Sequence, residues 1–325
     1  MANIMLTERC NLKCPYCFAD EFVNKENTNI SLENFSKALM FAMSGKHFSG
    51  RIGLIGGEPT LHPQFREILQ ILQEEERVTN AVIFTNGIRM DETFDITKED
   101  KYTVLINLNS PDDIGKDSFE KIQENTDIFV NRLNKRRFLT VGLNLYKPDM
   151  DCSFYKEFLR RFDVHTARLS ITVPNHSQSS GFERFYEMKR LAYDLYVDLL
   201  YDGREVIFDC NMPPYCVWTE EEMKKISLIQ SGQFAGRRGF TLGCSECHPV
   251  IDILPDLTAV RCFGMSDSTK VKLSDFKTVD QLYKYYMKTA DSRMVKIPSL
   301  TKCGTCTYFR KKQCYGGCLA SKNAQ

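Results

Sequence analysis

The sequence has almost no net charge: 43 Lys and Arg stand against 42 Asp and Glu, leaving +1. A chain so balanced carries no broad basic field, which excludes nucleic acid as its expected partner. It lacks any apolar run long enough to cross a bilayer, which excludes a spanning membrane protein. The stretch from Met1 to Thr7 leaves too little room before Cys10 for a secretory signal. Histidine is scarce, at five, and none lies near the first cysteine group. Cysteine is plentiful, at thirteen. An odd number in close-set groups fits metal ligation better than a disulfide framework. The expected setting is therefore a reducing cytoplasm, and an anaerobic one if exposed clusters are to survive. With 325 residues, 42% of them hydrophobic, the chain can fill two domains or one large α/β domain with an appendage.

The first cysteine group is Cys10-Asn11-Leu12-Lys13-Cys14-Pro15-Tyr16-Cys17. Three thiolates this close can hold three irons of a cubic iron–sulfur cluster, leaving the fourth iron open to a small molecule. A zinc site wants four closed ligands, and no nearby His or Cys supplies the fourth.

Beyond this group, β-branched apolar runs alternate with helical patterns. Strands are expected over 3–6, 51–55, 81–85, 103–108, 139–145 and 167–172, with amphipathic helices over 31–46, 63–77, 117–133 and 151–162. Such alternation specifies an α/β fold, a parallel sheet with helices outside, and six units suit a partial (β/α)6 barrel of TIM type. Working residues of such a barrel sit at the C-terminal ends of its strands. The second strand runs into Gly56-Gly57-Glu58-Pro59, where two glycines let the backbone approach a ligand and a carboxylate follows. The third ends in Thr85-Asn86-Gly87 and the fourth in Asn107-Leu108-Asn109-Ser110. Asn144 lies in the fifth, Arg168 and Ser170 in the sixth. Each of these polar residues also has a plain reading as a turn or strand-end hydrogen bond. His62 reads as a structural helix-start residue. A long helix over 182–202 and a short strand over 205–209 precede the Pro-rich loop from Cys210 to Cys216, where the character changes. A boundary near 210 gives a barrel over 1–210 and a small cysteine-rich domain over 211–325.

The Cys10–Cys14–Cys17 spacing, with Tyr16 before the last cysteine, resembles the signature of the radical S-adenosylmethionine (SAM) enzymes. The resemblance implies a 4Fe–4S cluster on these cysteines, with SAM chelated by its fourth iron. One electron from the cluster then cleaves SAM to a 5′-deoxyadenosyl radical, which abstracts hydrogen from a substrate carbon; the protein places and shields the reactants. Gly56-Gly57-Glu58 is similar to the family motif that receives the SAM amino group, and Thr85-Asn86-Gly87 resembles another family element. Ser110 follows Asn107-Leu108-Asn109 where relatives often carry Ser-Leu-Asp-Gly, so its place against the SAM carboxylate rests on a departed motif. Asn144 corresponds to a residue that in relatives often faces the SAM ribose or carboxylate. Arg168 and Tyr16 complete the cofactor-binding set.

The second cysteine block holds Cys210, Cys216, Cys244, Cys247, Cys262, Cys303, Cys306, Cys314 and Cys318. Close cysteine pairs on turns, brought together by a hairpin over 250–262 with Pro255-Asp256 as its turn, are how tetrathiolate sites are built, for zinc and for iron–sulfur alike. The arrangement is similar to the SPASM extension, which ligates auxiliary 4Fe–4S clusters in peptide- and protein-modifying radical SAM enzymes. It implies one or two auxiliary clusters. Cys244, Cys247, Cys262 and Cys318 would complete one site; Cys303, Cys306 and Cys314, with Cys210 or Cys216, would complete another. A twitch-like domain with a single cluster is the alternative. Three departures stand out. Asp256-Leu257 replaces the relatives' Asp-Gly, a final downstream cysteine is missing, and Phe263 follows Cys262 where sulfatase-maturating relatives carry an Asp base. Cys152, alone between the blocks, reads as a packed thiol.

The leading reading is a radical SAM enzyme acting on a ribosomally made peptide or a protein side chain, with a donor such as flavodoxin or ferredoxin. The substrate class rests on the resemblance alone, and the short stretch before Cys10 leaves no room for an N-terminal peptide-recognition domain. The enzyme alternative is a small-molecule dehydrogenase or cyclase, since a similar cysteine triad occurs in molybdopterin and aminoglycoside pathways. A non-catalytic zinc- or iron-binding interaction protein is the reading from another class. The Gly-Gly-Glu element speaks against it, because a scaffold needs no SAM pocket.

Overall fold

The computed structural model describes residues 2–17, 19–26, 28–172, 183–208, 213–233 and 247–322. Its strands fall within one residue of the expected ones: β1 (Ala2–Met5), β2 (Arg51–Ile55), β3 (Asn80–Thr85), β4 (Tyr102–Asn107), β5 (Leu139–Leu145), β6 (Thr166–Ile171) and β7 (Glu205–Phe208). The fold class is α/β, with the parallel strand–helix units of a partial barrel and a cysteine-rich C-terminal region. Two compact units group the chain: Met1–Thr140 with Pro249–Ala290, and Val141–His248 with Asp291–Gln325.

In the first unit β1 to β4 run parallel and in sequence order, with Ala2 opposite Ile52 and Ile52 opposite Ala81. Parallel neighbours need a crossover between them. The helix Leu32–Ala42 supplies the first. Phe35, Ala38, Leu39 and Ala42 recur at helical spacing, so one stripe is apolar and buried. Ser31 caps its start, the hydroxyl accepting from Asn34 N at 3.1 Å. The helix Phe65–Glu74 buries Phe65, Ile68, Leu69 and Leu72 in the same way. These stripes pack with Ala2, Ile4, Ile52, Leu54, Ala81 and Ile83 in one core. Strand alternation sends Asn3, Met5, Gly53 and Ile55 to the other face. The stretch 86–102, where the sequence pattern is unclear, holds only a 3-10 turn (Met90–Thr93) and a short helix (Phe94–Thr97).

The hairpin expected over 250–262 is present as β8 (Asp252–Ile253) and β9 (Thr258–Val260), antiparallel, with β10 (Val271–Lys272) antiparallel to β9. It joins the first unit because β8 pairs parallel with β1, Asn3 opposite Asp252. The edge of β1 away from β2 is thereby covered, its backbone groups paired on both sides. The compact units therefore do not follow a single cut near 210. The hairpin turn holds Leu257 at φ +59°, a left-handed conformation that glycine adopts without steric cost. Its side chain packs on the core.

In the second unit β6 and β7 are parallel, Thr166 opposite Glu205. The expected helix over 182–202 is two pieces, Glu183–Glu187 and Lys189–Tyr201, interrupted at the buried Met188. The helix Glu220–Gln233 opens on a capping box: Glu222 N donates to Thr219 Oγ1 at 3.2 Å, and Thr219 N to Glu222 Oε2 at 2.7 Å. The last cysteines lie on and between short turns at Thr301–Gly304, Thr307–Arg310 and Leu319–Lys322. Among the described residues no helix is long and apolar enough to cross a membrane.

Candidate functional site

The loop with Cys10, Cys14 and Cys17 follows the C-terminal end of β1, and all three thiols are half-buried and free. Side chains hold its backbone. Asn24 brackets Cys10: its Oδ1 accepts from Cys10 N at 2.9 Å, and its Nδ2 donates to Cys10 O at 3.2 Å. Leu12 N donates to Cys10 Sγ at 3.5 Å, a dipole that favours a thiolate. Tyr16 is buried, and its hydroxyl donates to Asn109 Oδ1. Burial first, with Glu58 and Cys17 adding to it at Cys10 and with Cys10 and Cys17 adding to it at Cys14, pushes the Cys10 thiol up to about 11 and the Cys14 thiol up to about 12. Cys17 is raised first by burial as well. Thiols so placed keep their protons until a metal centre takes their place.

The Gly-Gly-Glu turn is fastened directly to this loop. Gly57 N donates to Thr7 O at 2.8 Å and Glu58 N to Arg9 O at 2.7 Å. A Cβ on Gly57 would lie 2.4 Å from Arg9 O and 3.0 Å from Cys10 Cβ, so only glycine permits the approach. Glu58 is 1% exposed. Its Oε1 accepts from Thr60 N at 3.2 Å, Thr60 Oγ1 at 2.8 Å and Thr85 Oγ1 at 2.7 Å; its Oε2 accepts from Asn86 N at 2.7 Å. Burial raises its carboxyl, and these hydrogen bonds pull the other way. Oε2, with one donor, keeps accepting capacity. Asn86 extends the tie, its Nδ2 donating to Asn11 Oδ1 at 2.7 Å. The ends of β2 and β3 are thus laced to the cysteine loop through Glu58 and Asn86.

Two other residues have the plain roles open to them. Ser110 caps the short helix Pro111–Ile114, its Oγ accepting from Asp112 N at 3.2 Å. His62 is buried, with Nε2 2.8 Å from Ile30 O and Nδ1 accepting from Gln64 N at 3.1 Å. The partners Asn24 and Thr60 carry no signal in the sequence, and Asn109 only its place at a strand end. Asn24 stands at φ +56°, where Asn is more tolerated than most residues, but only the backbone shows that.

In the second unit the Ser170 hydroxyl donates to Asn144 Oδ1, joining β5 and β6. Arg168 lies two residues before Ser170 and shares its face of the strand. Of the later cysteines, Cys210 and Cys244 lie outside the described residues. Cys303 and Cys318 are buried, Cys247, Cys306 and Cys314 half-buried, and Cys216 exposed. Burial raises the Cys216 thiol, Lys302 lowers it, and Cys303, Cys314 and Cys306 raise it. Lys302 Nζ also donates to Cys216 O at 3.2 Å. Gly316 and Gly317, at φ +79° and +88°, turn the chain between Cys314 and Cys318, and Gly316 N donates to Cys314 Sγ at 3.3 Å. Cys262 belongs to the first unit, its Sγ 3.7 Å from Nη1 of the buried Arg261. Cys152 is a buried, packed thiol whose Sγ faces Met150 O at 3.7 Å. Among the described residues no three His, Cys, Asp or Glu are grouped as they would be around a single metal ion. A cubic cluster asks for less convergence, because each cysteine serves its own iron.

Residues 4–151 match the family described as the Radical SAM superfamily. The match takes in the cysteine loop, the Gly-Gly-Glu turn and the first five strands. Among curated relatives, human molybdenum cofactor biosynthesis protein 1 is 37% identical over 91 residues, 27% of this chain and 14% of that protein. GTP 3′,8-cyclase of Chlorobaculum tepidum is 29% identical over 148 residues, 44% of this chain and 43% of that protein. The chain thus spans less than half the length of either relative. Among solved structures, Streptococcus suis SuiB bound to S-adenosylmethionine matches with a TM-score of 0.64 at 17% identity, over 98% of this chain and 72% of that one. Native anSMEcpe with bound AdoMet and Cp18Cys peptide matches with a TM-score of 0.63 at 17% identity, over 98% and 89%. At such identity the likeness is one of fold. The cofactors of the superfamily, a 4Fe–4S cluster and SAM, fit the residues present: three free thiols, an amide aimed at sulfur, and a glycine turn with no room for a side chain beside them.

Proposed function

We propose that this chain is a radical SAM enzyme and removes a hydrogen atom from a carbon of a peptide or protein side chain. The observation that carries the radical chemistry is the attachment of the Gly56-Gly57-Glu58 turn to the cysteine loop through Arg9 O and Thr7 O. Cys10, Cys14 and Cys17 would hold a 4Fe–4S cluster, which when bound would supply the one electron that cleaves SAM to a hydrogen-abstracting species. Gly57 lets the strand end close on the loop. Glu58, with Oε2 still able to accept, offers a charge-assisted partner to an amino group. Tyr16, Asn86, Ser110, Asn144 and Arg168 are the further positions proposed to line the SAM site.

The peptide substrate is supported by a fold likeness covering 98% of the chain to SuiB, also solved bound to precursor peptide SuiA, and to the peptide-bound anSMEcpe. The C-terminal cysteines would hold one or two auxiliary 4Fe–4S clusters of SPASM or twitch type, to accept an electron or hold substrate. Cys216, on which Cys303, Cys314 and Cys306 act, is one candidate for their fourth partner, and Cys210, outside the described residues, is the other. A flavodoxin or ferredoxin is the proposed donor and the cytoplasm the proposed place.

A cyclase acting on a small molecule is the second reading, favoured by the relatives named GTP 3′,8-cyclase. The triple variant Cys10/Cys14/Cys17→Ala tests the central claim. It should make no 5′-deoxyadenosine under dithionite; continued production would overturn the assignment of the loop. Hydrogen transfer from deuterated candidate peptides to 5′-deoxyadenosine, against none from GTP, separates the two substrate classes.

A further inference from the structure

Lys322, near the end of the described chain, is 3% exposed. Its Nζ donates to Met294 O at 3.1 Å and to Ile297 O at 2.7 Å, and lies 5.4 Å from the centre of the Phe309 ring. An ammonium has three N–H donors, and the two carbonyls take two of them. No described Asp or Glu forms an ion pair with it. A buried cation without an anion is costly, and proteins keep one where a counter-charge is supplied.

The surroundings of this ammonium are rich in sulfur. A Cβ on Gly316 would stand 3.3 Å from Nζ, and Gly316 is the residue whose N–H meets Cys314 Sγ at 3.3 Å. The groups whose charge bears on Lys322 are Cys303, Cys314, Cys247 and Cys318. All of these residues belong to the second unit.

We propose that Lys322 is a positioning residue for the C-terminal iron–sulfur chemistry: its ammonium is a counter-charge to the thiolates of Cys303, Cys314, Cys247 and Cys318, whether they serve one centre or two, and donates its third N–H to one of their sulfurs. The inference rests on reading the C-terminal cysteines as iron–sulfur ligands. Reduction adds one negative charge to such a centre. A buried cation and an N–H···S hydrogen bond stabilise that added charge, so both raise the reduction potential.

The Cys10/Cys14/Cys17→Ala variant leaves only the C-terminal iron to observe, so EPR-monitored redox titration reads the C-terminal centre or centres, and the shift is sought in any of them. In this background Lys322→Met and Lys322→Gln should each lower the reduced-to-oxidised ratio at fixed potential about tenfold, about 59 mV for one electron. Lys322→Gln keeps donors for the two carbonyls, so a shift with unchanged iron and circular dichroism isolates the charge. Lys322→Arg should keep the parent potential. Loss of iron from both neutral variants but not from Lys322→Arg also supports the role. Unmoved potentials with full iron overturn it and leave the cluster reading standing. Loss of iron from all three variants makes Lys322 a packing residue and overturns the role as well. A parent triple variant without iron overturns the cluster reading, and this inference with it.

Discussion

Glu58 receives hydrogen bonds from Thr60 on its own turn and from Thr85 and Asn86 at the end of β3. Glu58→Gln turns one acceptor into a donor that faces other donors, at an expected cost of about 1–3 kcal/mol in stability. It also removes the charge that would meet the SAM amino group, a contact worth roughly 1.5–3 kcal/mol. SAM affinity should fall about tenfold or more, measured by anaerobic equilibrium dialysis, with the iron retained. Unchanged affinity would leave Glu58 as a tie between strand ends. Asp252 carries a different expectation. It is buried, accepting from Asn3 Nδ2 at 2.7 Å and Phe263 N at 3.2 Å, and burial raises its carboxyl to about 6 against those hydrogen bonds. A carboxyl raised on folding contributes stability that is full below its unfolded value and lost as pH rises through about 6. Asp252→Asn should therefore flatten the fall of the urea midpoint between about pH 4 and 6.5, and gain stability above it. Parallel slopes in the two proteins would show that this carboxyl does not carry the dependence.

The turn after β2 and the hairpin beside β1 are the elements whose details decide the site. In Gly57→Ala the added methyl meets Arg9 O at 2.4 Å, a backbone atom that cannot swing aside. The cysteine loop must move, so iron bound at Cys10, Cys14 and Cys17 should fall severely while C-terminal iron stays. Iron analysis with EPR measures this, and full N-terminal loading in the variant would refute the close-approach argument. Much of this element was legible in advance. Two adjacent glycines and a carboxylate after a β-branched run mark a strand end that closes on something, and the helix stripe at Phe65, Ile68, Leu69 and Leu72 was readable from its spacing. The pairing of β8 with β1 was not legible, because two residues of strand carry no periodicity and their partner lies some 250 positions away. Leu257 was noted as a departure from Asp-Gly, yet its left-handed backbone appears only in the fold.

For the molecule as a whole the open chemistry is the metal of the C-terminal region. Two or three 4Fe–4S clusters mean about eight to twelve irons per chain after anaerobic reconstitution, and about four or more should survive in the Cys10/Cys14/Cys17→Ala variant. Zinc in place of iron there would leave a radical SAM barrel with a structural appendage and remove the electron-accepting role. The described second unit supplies six thiols for such centres: Cys216, Cys247, Cys303, Cys306, Cys314 and Cys318.

The sequence by itself determined the strand–helix order and the cysteine loop on which the proposed chemistry rests, because each is written in local spacing: period two, period three to four, and cysteines three and four apart. Only the tertiary structure decided that Glu58 and Asn86 lace two strand ends to that loop, that Asn24 holds Cys10, and that Lys322, with no carboxylate partner among the described residues, lies buried near the last cysteines. Those facts join residues far apart in the chain. A hydrogen bond across such a distance depends on where the backbone has already been carried, and no local pattern records it.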